Sequence, residues 1–216
     1  EISTRDWSSD VCSSDLNNFS GMNDKVRLNL ISGYTRQISF SYNRLYIDRK
    51  MRWGFNANFA TGKAREVNYN TIENKQMFWK DSRFVRSFTS ANMAMTYRKA
   101  IHTRHTFGVS FSSERVADTI IALNPEYFKQ CRASIGYPVF YYHFDQIDLN
   151  YNAYPTRGTA SRIQLSKSGL NPIINLWHLQ LTGTRYFPLT SKMFLQTTAY
   201  GSIKLPFKRS EEHTSE

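Results

Sequence analysis

The chain has 216 residues, 40% of them hydrophobic and 15% aromatic, with 28 Lys and Arg against 17 Asp and Glu and a formal net charge of +11. That length suffices for one domain or a large part of one. No uninterrupted apolar run of about 18 residues occurs, which excludes a transmembrane helix but not a membrane barrel, whose strands alternate and have low mean hydropathy; the value here is −0.53.

The two ends stand apart from the rest. Residues Asp6 to Leu16 read DWSSDVCSSDL and Arg209 to Glu216 read RSEEHTSE. The tail can be encoded by AGATCGGAAGAGCACACGTCTGAA, and the reverse complement of that DNA encodes SDVCSSDL in another frame. Residues 1–16 and 209–216 are therefore read as adapter-derived and are expected to be disordered, and such segments are set aside before fold reasoning. The selected protein is expected to run over residues 17–208 as a partial outer-membrane β-barrel domain, cut at both sides. Glu1, Asp6, Asp10 and Asp15 against Arg5 contribute −3, and Glu211, Glu212 and Glu216 against Arg209 contribute −2, so the interior carries +16. Cys12 falls in the head, which leaves Cys131 alone, read as a small apolar residue in a strand with no internal disulfide available to it.

From Ile38 onward the dominant period is two. Ile38, Phe40 and Tyr42 alternate with Ser39, Ser41 and Asn43, and Trp53, Phe55, Ala57 and Phe59 with Gly54, Asn56 and Asn58. The stretch from Gly62 to Asp81 reads as two long strand extensions with a loop, including the alternation at Val67 and Tyr69. Ala91, Met93, Met95 and Tyr97 form the next apolar row, and Tyr97 to His105 reads as a connection. Phe107, Val109 and Phe111 follow, then a loop around Asn124 to Tyr127, then Ala133, Ile135 and Tyr137. Ile163 and Leu165 alternate with Arg162, Gln164 and Ser166; Trp177, Leu179 and Leu181 alternate with His178, Gln180 and Thr182; Met193, Leu195 and Ala199 close the series. Alternation gives each strand one apolar and one polar face. Roughly nine or ten strands are expected in an all-β antiparallel meander, with few helices.

The composition of the polar rows separates a soluble sandwich from a membrane barrel. Charged residues would face water in a sandwich; here the rows hold Ser, Asn, Thr, Gly and Gln with some Arg, the lining of a wet lumen. Aromatics near strand ends (Tyr34, Tyr42, Trp53, Tyr97, Tyr137, Trp177) are candidates for interfacial girdles. Arg52, Arg98, Lys99, Arg104 and Arg162 sit singly between apolar residues or in turns, which argues against a nucleic-acid patch.

Asp145 to Gly158 reads DQIDLNYNAYPTRG and leads into the strand Thr159 to Ser168. Pro155 fixes its own φ and holds Tyr154 extended, Gly158 is free to take φ > 0, and Thr156 can hydrogen-bond its own backbone. An acidic, Asn-rich strand end followed by an aromatic-Pro-Thr-x-Gly turn (Tyr154, Pro155, Thr156, Arg157, Gly158) resembles the bacterial surface antigen family, the BamA/TamA-type outer-membrane assembly barrels. Tyr42 to Gly54 and Phe111 to Phe128 resemble members from Bacteroidota, and Tyr186 to Leu189 resembles a later turn. The resemblance implies a bacterial outer-membrane location. It implies outer-membrane lipid, lipopolysaccharide, client β-barrel proteins and POTRA domains of the same full-length chain as partners, with no nucleic acid. The family's VRGF-type motif does not occur in these residues.

No catalytic, cofactor-binding or metal site is expected. His102 and His105 beside Arg98, Lys99 and Arg104 read as a polar turn, and His143, Asp145 and Asp148 as a lumen-facing strand end. GxSxG, HExxH, CxxC and a Gly-rich phosphate loop are absent. The resemblance implies a non-enzymatic role in inserting β-barrel proteins into the outer membrane. The alternatives are the C-terminal anchor barrel of a patatin-like phospholipase and an unrelated porin or transporter barrel.

Overall fold

The computed structural model describes residues 10–128, 131–151, 153–171, 174–190 and 193–206. The elements in chain order are β1 (Asp10–Asn17), β2 (Asp24–Ser32), β3 (Thr35–Arg44), β4 (Trp53–Ala64), β5 (Glu66–Ile72), β6 (Lys75–Lys80), β7 (Arg86–Ala100), β8 (Thr103–Val116), α1 (Asp118–Leu123), β9 (Ser134–Leu149), β10 (Gly158–Ser168), β11 (Leu176–Pro188) and β12 (Phe194–Pro206). Ten strands form one sheet in the order β1-β2-β3-β4-β7-β8-β9-β10-β11-β12, and β5 pairs with β6 alone. The expected all-β antiparallel meander is the observed fold, and consecutive strands are neighbours wherever the β5–β6 hairpin does not intervene. Two compact units share the strands. One takes in the described residues up to Leu45, Asn56–Met93 and Ser110–Tyr137; the other takes in Tyr46–Phe55, Ala94–Val109 and the described residues from Pro138 onward.

In the first unit, the β2–β3 register places Leu28 opposite Phe40 and Leu30 opposite Ile38 on one face. Arg27 opposite Ser41 and Asn29 opposite Ser39 fill the other. Directly opposed residues share a face, so the alternation propagates across the pair. β2, with Val26, Leu28 and Leu30 alternating against Lys25, Arg27 and Asn29, went unrecognised in the sequence. The expectation of disorder in residues 1–16 fails for Asp10 to Leu16: these form most of β1, paired in register with β2 from Asp10↔Ser32 to Asn17↔Lys25. An unpaired edge offers a row of free N–H and C=O groups, and an extended segment beside it satisfies them. Residues 1–9 and 207–216 lie outside the described residues.

The interior of this unit is small. Val67, Val85, Val116 and Ile120 form its buried cluster, with Tyr69, Trp79, Ala117, Ile121, Tyr127 and Phe128 packed against it. The stretch expected as two strand extensions is instead the separate β5–β6 hairpin, because Val67 and Trp79 turn onto this cluster. The cluster also explains α1, which has no side-chain N-cap bond. Its six residues are too few to be stable alone. Ile120 is fully buried, and Asn124 Nδ2 donates to the Tyr69 carbonyl at 2.7 Å. Cys131, expected in a strand, lies in a turn at φ 52°, exposed, with its N–H bonded to the Pro125 carbonyl. The chain returning from α1 needs that turn before β9 begins.

In the second unit, the expected connection from Tyr97 to His105 is mostly strand. β7 continues to Ala100 and β8 starts at Thr103, so Ile101 and His102 alone make the turn. Further along β8, the ring of Tyr141 lies directly over Gly108, and a Cβ there would overlap its Cζ and Oη. A Gly108→Val chain should lose about 2 kcal/mol by overpacking, read as a shift in urea midpoint, and a second change of Tyr141→Ala should recover most of it. Additive losses in the pair would show that the close approach has no energetic weight.

Candidate functional site: the two faces of the sheet

Apolar side chains on these strands point away from the protein. Phe59 is 44% exposed, Met93 58%, Phe107 51% and Leu195 50%. Ile38, Phe40, Ile163 and Leu181 are exposed likewise. The only buried hydrophobic residues among those described are Ala64, Val67, Val85, Ala94, Val116 and Ile120. Trp53, Phe55 and Phe59, the row whose packing separates the two architectures, are exposed, half-buried and exposed. None of the three belongs to the buried cluster among the described residues. Exposed apolar rows like these, present in each unit, are not tolerated in water by a monomeric soluble domain.

Aromatic rings form a band on the apolar face of the second unit. Trp53 and Tyr97 have centroids 4.7 Å apart, Tyr97 and His105 6.2 Å, His105 and Phe144 5.0 Å, and Phe107 and Tyr142 4.9 Å. His105 Nδ1 also lies 2.9 Å from the Tyr142 hydroxyl. The structure thus unites Trp53 and Tyr97 and adds His105, expected in a polar turn, together with Tyr142 and Phe144, which the sequence did not single out. Of the other girdle candidates, Tyr34 takes the Lys80 ammonium over its ring at 4.3 Å, Trp177 faces Lys167, and Tyr42 hydrogen-bonds Asp24. Tyr137 joins no ring contact among the described residues.

The opposite face is polar and internally bonded. On β11 and β12, Gln180 donates to the Tyr200 hydroxyl at 2.7 Å, His178 lies 2.9 Å from Ser202 and Thr184 lies 3.2 Å from Thr198. On β8, β9 and β10 the focus is Asp145. Its side chain is 7% exposed and bridges Arg104 at 2.8 Å and Arg162 at 2.5 Å. Register puts Asp145 opposite Arg162. The polar strand end expected of His143, Asp145 and Asp148 divides between the two faces. His143 shares Asp145's face and packs beside Tyr141 at 4.9 Å, while Asp148 falls on the other face and is exposed. His102 and His105 are separated as well: His102 Nδ1 lies 2.8 Å from the Ile147 carbonyl at the turn, and His105 belongs to the aromatic band. No group of three or more potential metal ligands occurs among the described residues.

The Tyr154–Gly158 turn is organised by a residue the sequence reading passed over. Asn150 Oδ1 accepts from the backbone N–H groups of Thr156 and Arg157, both at 3.1 Å, and its Nδ2 donates to Thr156 Oγ1 at 2.9 Å. Thr156 therefore bonds Asn150 and not its own backbone, since the Asn amide meets its N–H and its hydroxyl at once. Tyr154 is 80% exposed and stacks on Tyr151. Gly158 has φ +123° with the Asp148 carbonyl against the position a Cβ would occupy. Gly158→Ala should cost about 2–3 kcal/mol through backbone strain, measured by bilayer-folded urea denaturation. A loss below half that value would refute the strain argument.

These features define an antiparallel meander of the transmembrane β-barrel class, with one apolar and one polar face along its strands. No family model matches the sequence, and no curated protein matches it. Among solved structures the fold is similar to that of BamA from Haemophilus ducreyi lacking POTRA domains 1–3. The TM-score is 0.62 at 14% identity, and the match covers 91% of this chain and 38% of that one. The likeness is one of fold.

Proposed function

We propose that this chain is part of the wall of a bacterial outer-membrane barrel of the BamA/TamA type, acting without chemistry of its own to help insert other β-barrel proteins. The observation that carries the reading is the inside-out distribution of side chains: apolar rows exposed, polar rows bonded together, on strands whose fold matches a BamA barrel. The Asn150-braced Tyr-Pro-Thr-x-Gly turn supports the family resemblance. Client barrel proteins, POTRA domains of the same full-length chain and lipopolysaccharide are the partners this reading supplies. The physical mechanism is edge pairing with incoming strands together with local thinning of the bilayer by a short apolar belt.

The test is reconstitution of the full-length protein in vesicles with an unfolded client barrel. Faster client folding than in empty vesicles is the expected result. Ester hydrolysis of phospholipid by the full-length protein would instead identify an anchor barrel for a lipase, and a stable large conductance without client folding would identify a porin.

A further inference from the structure

Along three neighbouring strands of the first unit, the outer face changes character in the same order. On β4 it runs Phe59, Thr61, Lys63; on β7, Met93, Ala91, Thr89, Ser87; on β8, Phe111, Ser113, Arg115. These are alternate residues, so each series lies on one face. The rows are aligned: the Thr61 and Thr89 hydroxyls are 3.1 Å apart, and Lys63, Ser87 and Arg115 line one cleft of about 420 Å³. Apolar side chains thus give way to hydroxyls and then to two cations. Both Lys63 and Arg115 are exposed, and neither has an acidic partner among the described residues. Arg86 borders the cleft but is held by Glu114 at 2.6 Å.

We propose that Lys63 and Arg115, with the Ser87 hydroxyl between them, bind the phosphate of a membrane-lipid headgroup at the rim of the apolar face, a site that rests on the membrane reading above. Three observations select this ligand. Two cations without acidic partners, flanking a hydroxyl, suit a phosphate monoester. The apolar rows leading up to the cleft offer acyl chains a surface that a soluble anion would not use. The span also fits: Trp53 and Lys63 are ten residues apart on β4, about 33 Å of strand at 3.3 Å per residue, which at a tilt of about 40° projects to roughly the 25 Å apolar band of such barrels. The two longest connections, residues 65–85 and 117–133, leave from this end of β4, β7 and β8. Long loops mark the outer side of a bacterial barrel, so the phosphate is that of an outer-leaflet glycolipid.

The full-length protein is refolded into phosphatidylcholine vesicles, where protection from added protease reports insertion, and into detergent, where lipid A and inorganic phosphate are titrated separately. Lipid A should bind K63Q/R115Q roughly 30-fold more weakly than the parent, about fivefold per cation near an anionic surface. K63R/R115K should bind within about twofold of the parent by retaining both charges, and D118N, which removes an acid bordering the same cleft, should bind more tightly. Equal lipid A binding by K63Q/R115Q and the parent, or inorganic phosphate binding as tightly as lipid A, overturns the site while leaving the membrane reading intact. Failure of the full-length parent to insert into any vesicle overturns both.

Discussion

Leu165→Arg should destabilise the bilayer-folded chain by about 2–4 kcal/mol, whereas Ser166→Arg, one residue along, should cost under about 1 kcal/mol. Leu165 lies mid-strand on β10, opposite Tyr142 on β9 and Leu179 on β11, in the exposed apolar row. An arginine there must place its guanidinium in hydrocarbon, a cost that rises toward the bilayer midplane. Ser166 lies opposite Tyr141 and His178, on the face that carries Asp145 and Gln180. A cation at that position reaches water and polar partners, so only an ordinary surface-sized effect remains. Urea unfolding from vesicles measures both. The contrast is specific to the membrane reading, because in a soluble sandwich of reversed sense the two costs would exchange places. Equal costs would remove the ground for assigning one face to lipid.

Removing both arginines around Asp145 should be worse than removing Asp145 itself. The carboxylate is 7% exposed, whereas Arg104 and Arg162 keep 43% and 51% of their side-chain surface. In Asp145→Asn the two guanidinium groups turn to water and the amide retains hydrogen bonds, for a loss of about 1 kcal/mol. In R104M/R162M the carboxylate stays in its recess without a partner. Stranding a buried charge costs about 3 kcal/mol, toward the lower end of the known range because the vacated space admits water. Because Asp145 pairs with both arginines, R104M and R162M should each be mild alone and more than additive together. Additive losses, or a larger loss in Asp145→Asn, would show that the pair of arginines does not act on one shared charge.

Turn chemistry and side-chain direction were legible to different degrees. The short-range pattern of β10 and β11 was readable because each residue's face follows from the pleat alone. The Tyr154–Gly158 turn was located by Pro155 and Gly158, whose backbone restrictions are local. Asn150 was not, because its role depends on reaching across the loop to Thr156 and Arg157, and nothing in a neighbouring residue signals that. Residues Tyr97 to His105 misled for a related reason. Their charges suggested a loop, but strands that continue past an apolar belt carry charges without ceasing to be strands.

By itself, the sequence determined the strand period, the all-β class and the identity of the apolar and polar rows, because alternation is a property of one strand's geometry. Only the tertiary structure decided which row faces out, which strands lie side by side, and that Asp145 serves two arginines from flanking strands. It also turned residues 66–80 and 118–123 into a hairpin and a helix over Val85 and Val116. Those outcomes depend on contacts between residues far apart in the chain, and a local pattern holds no record of its eventual neighbours.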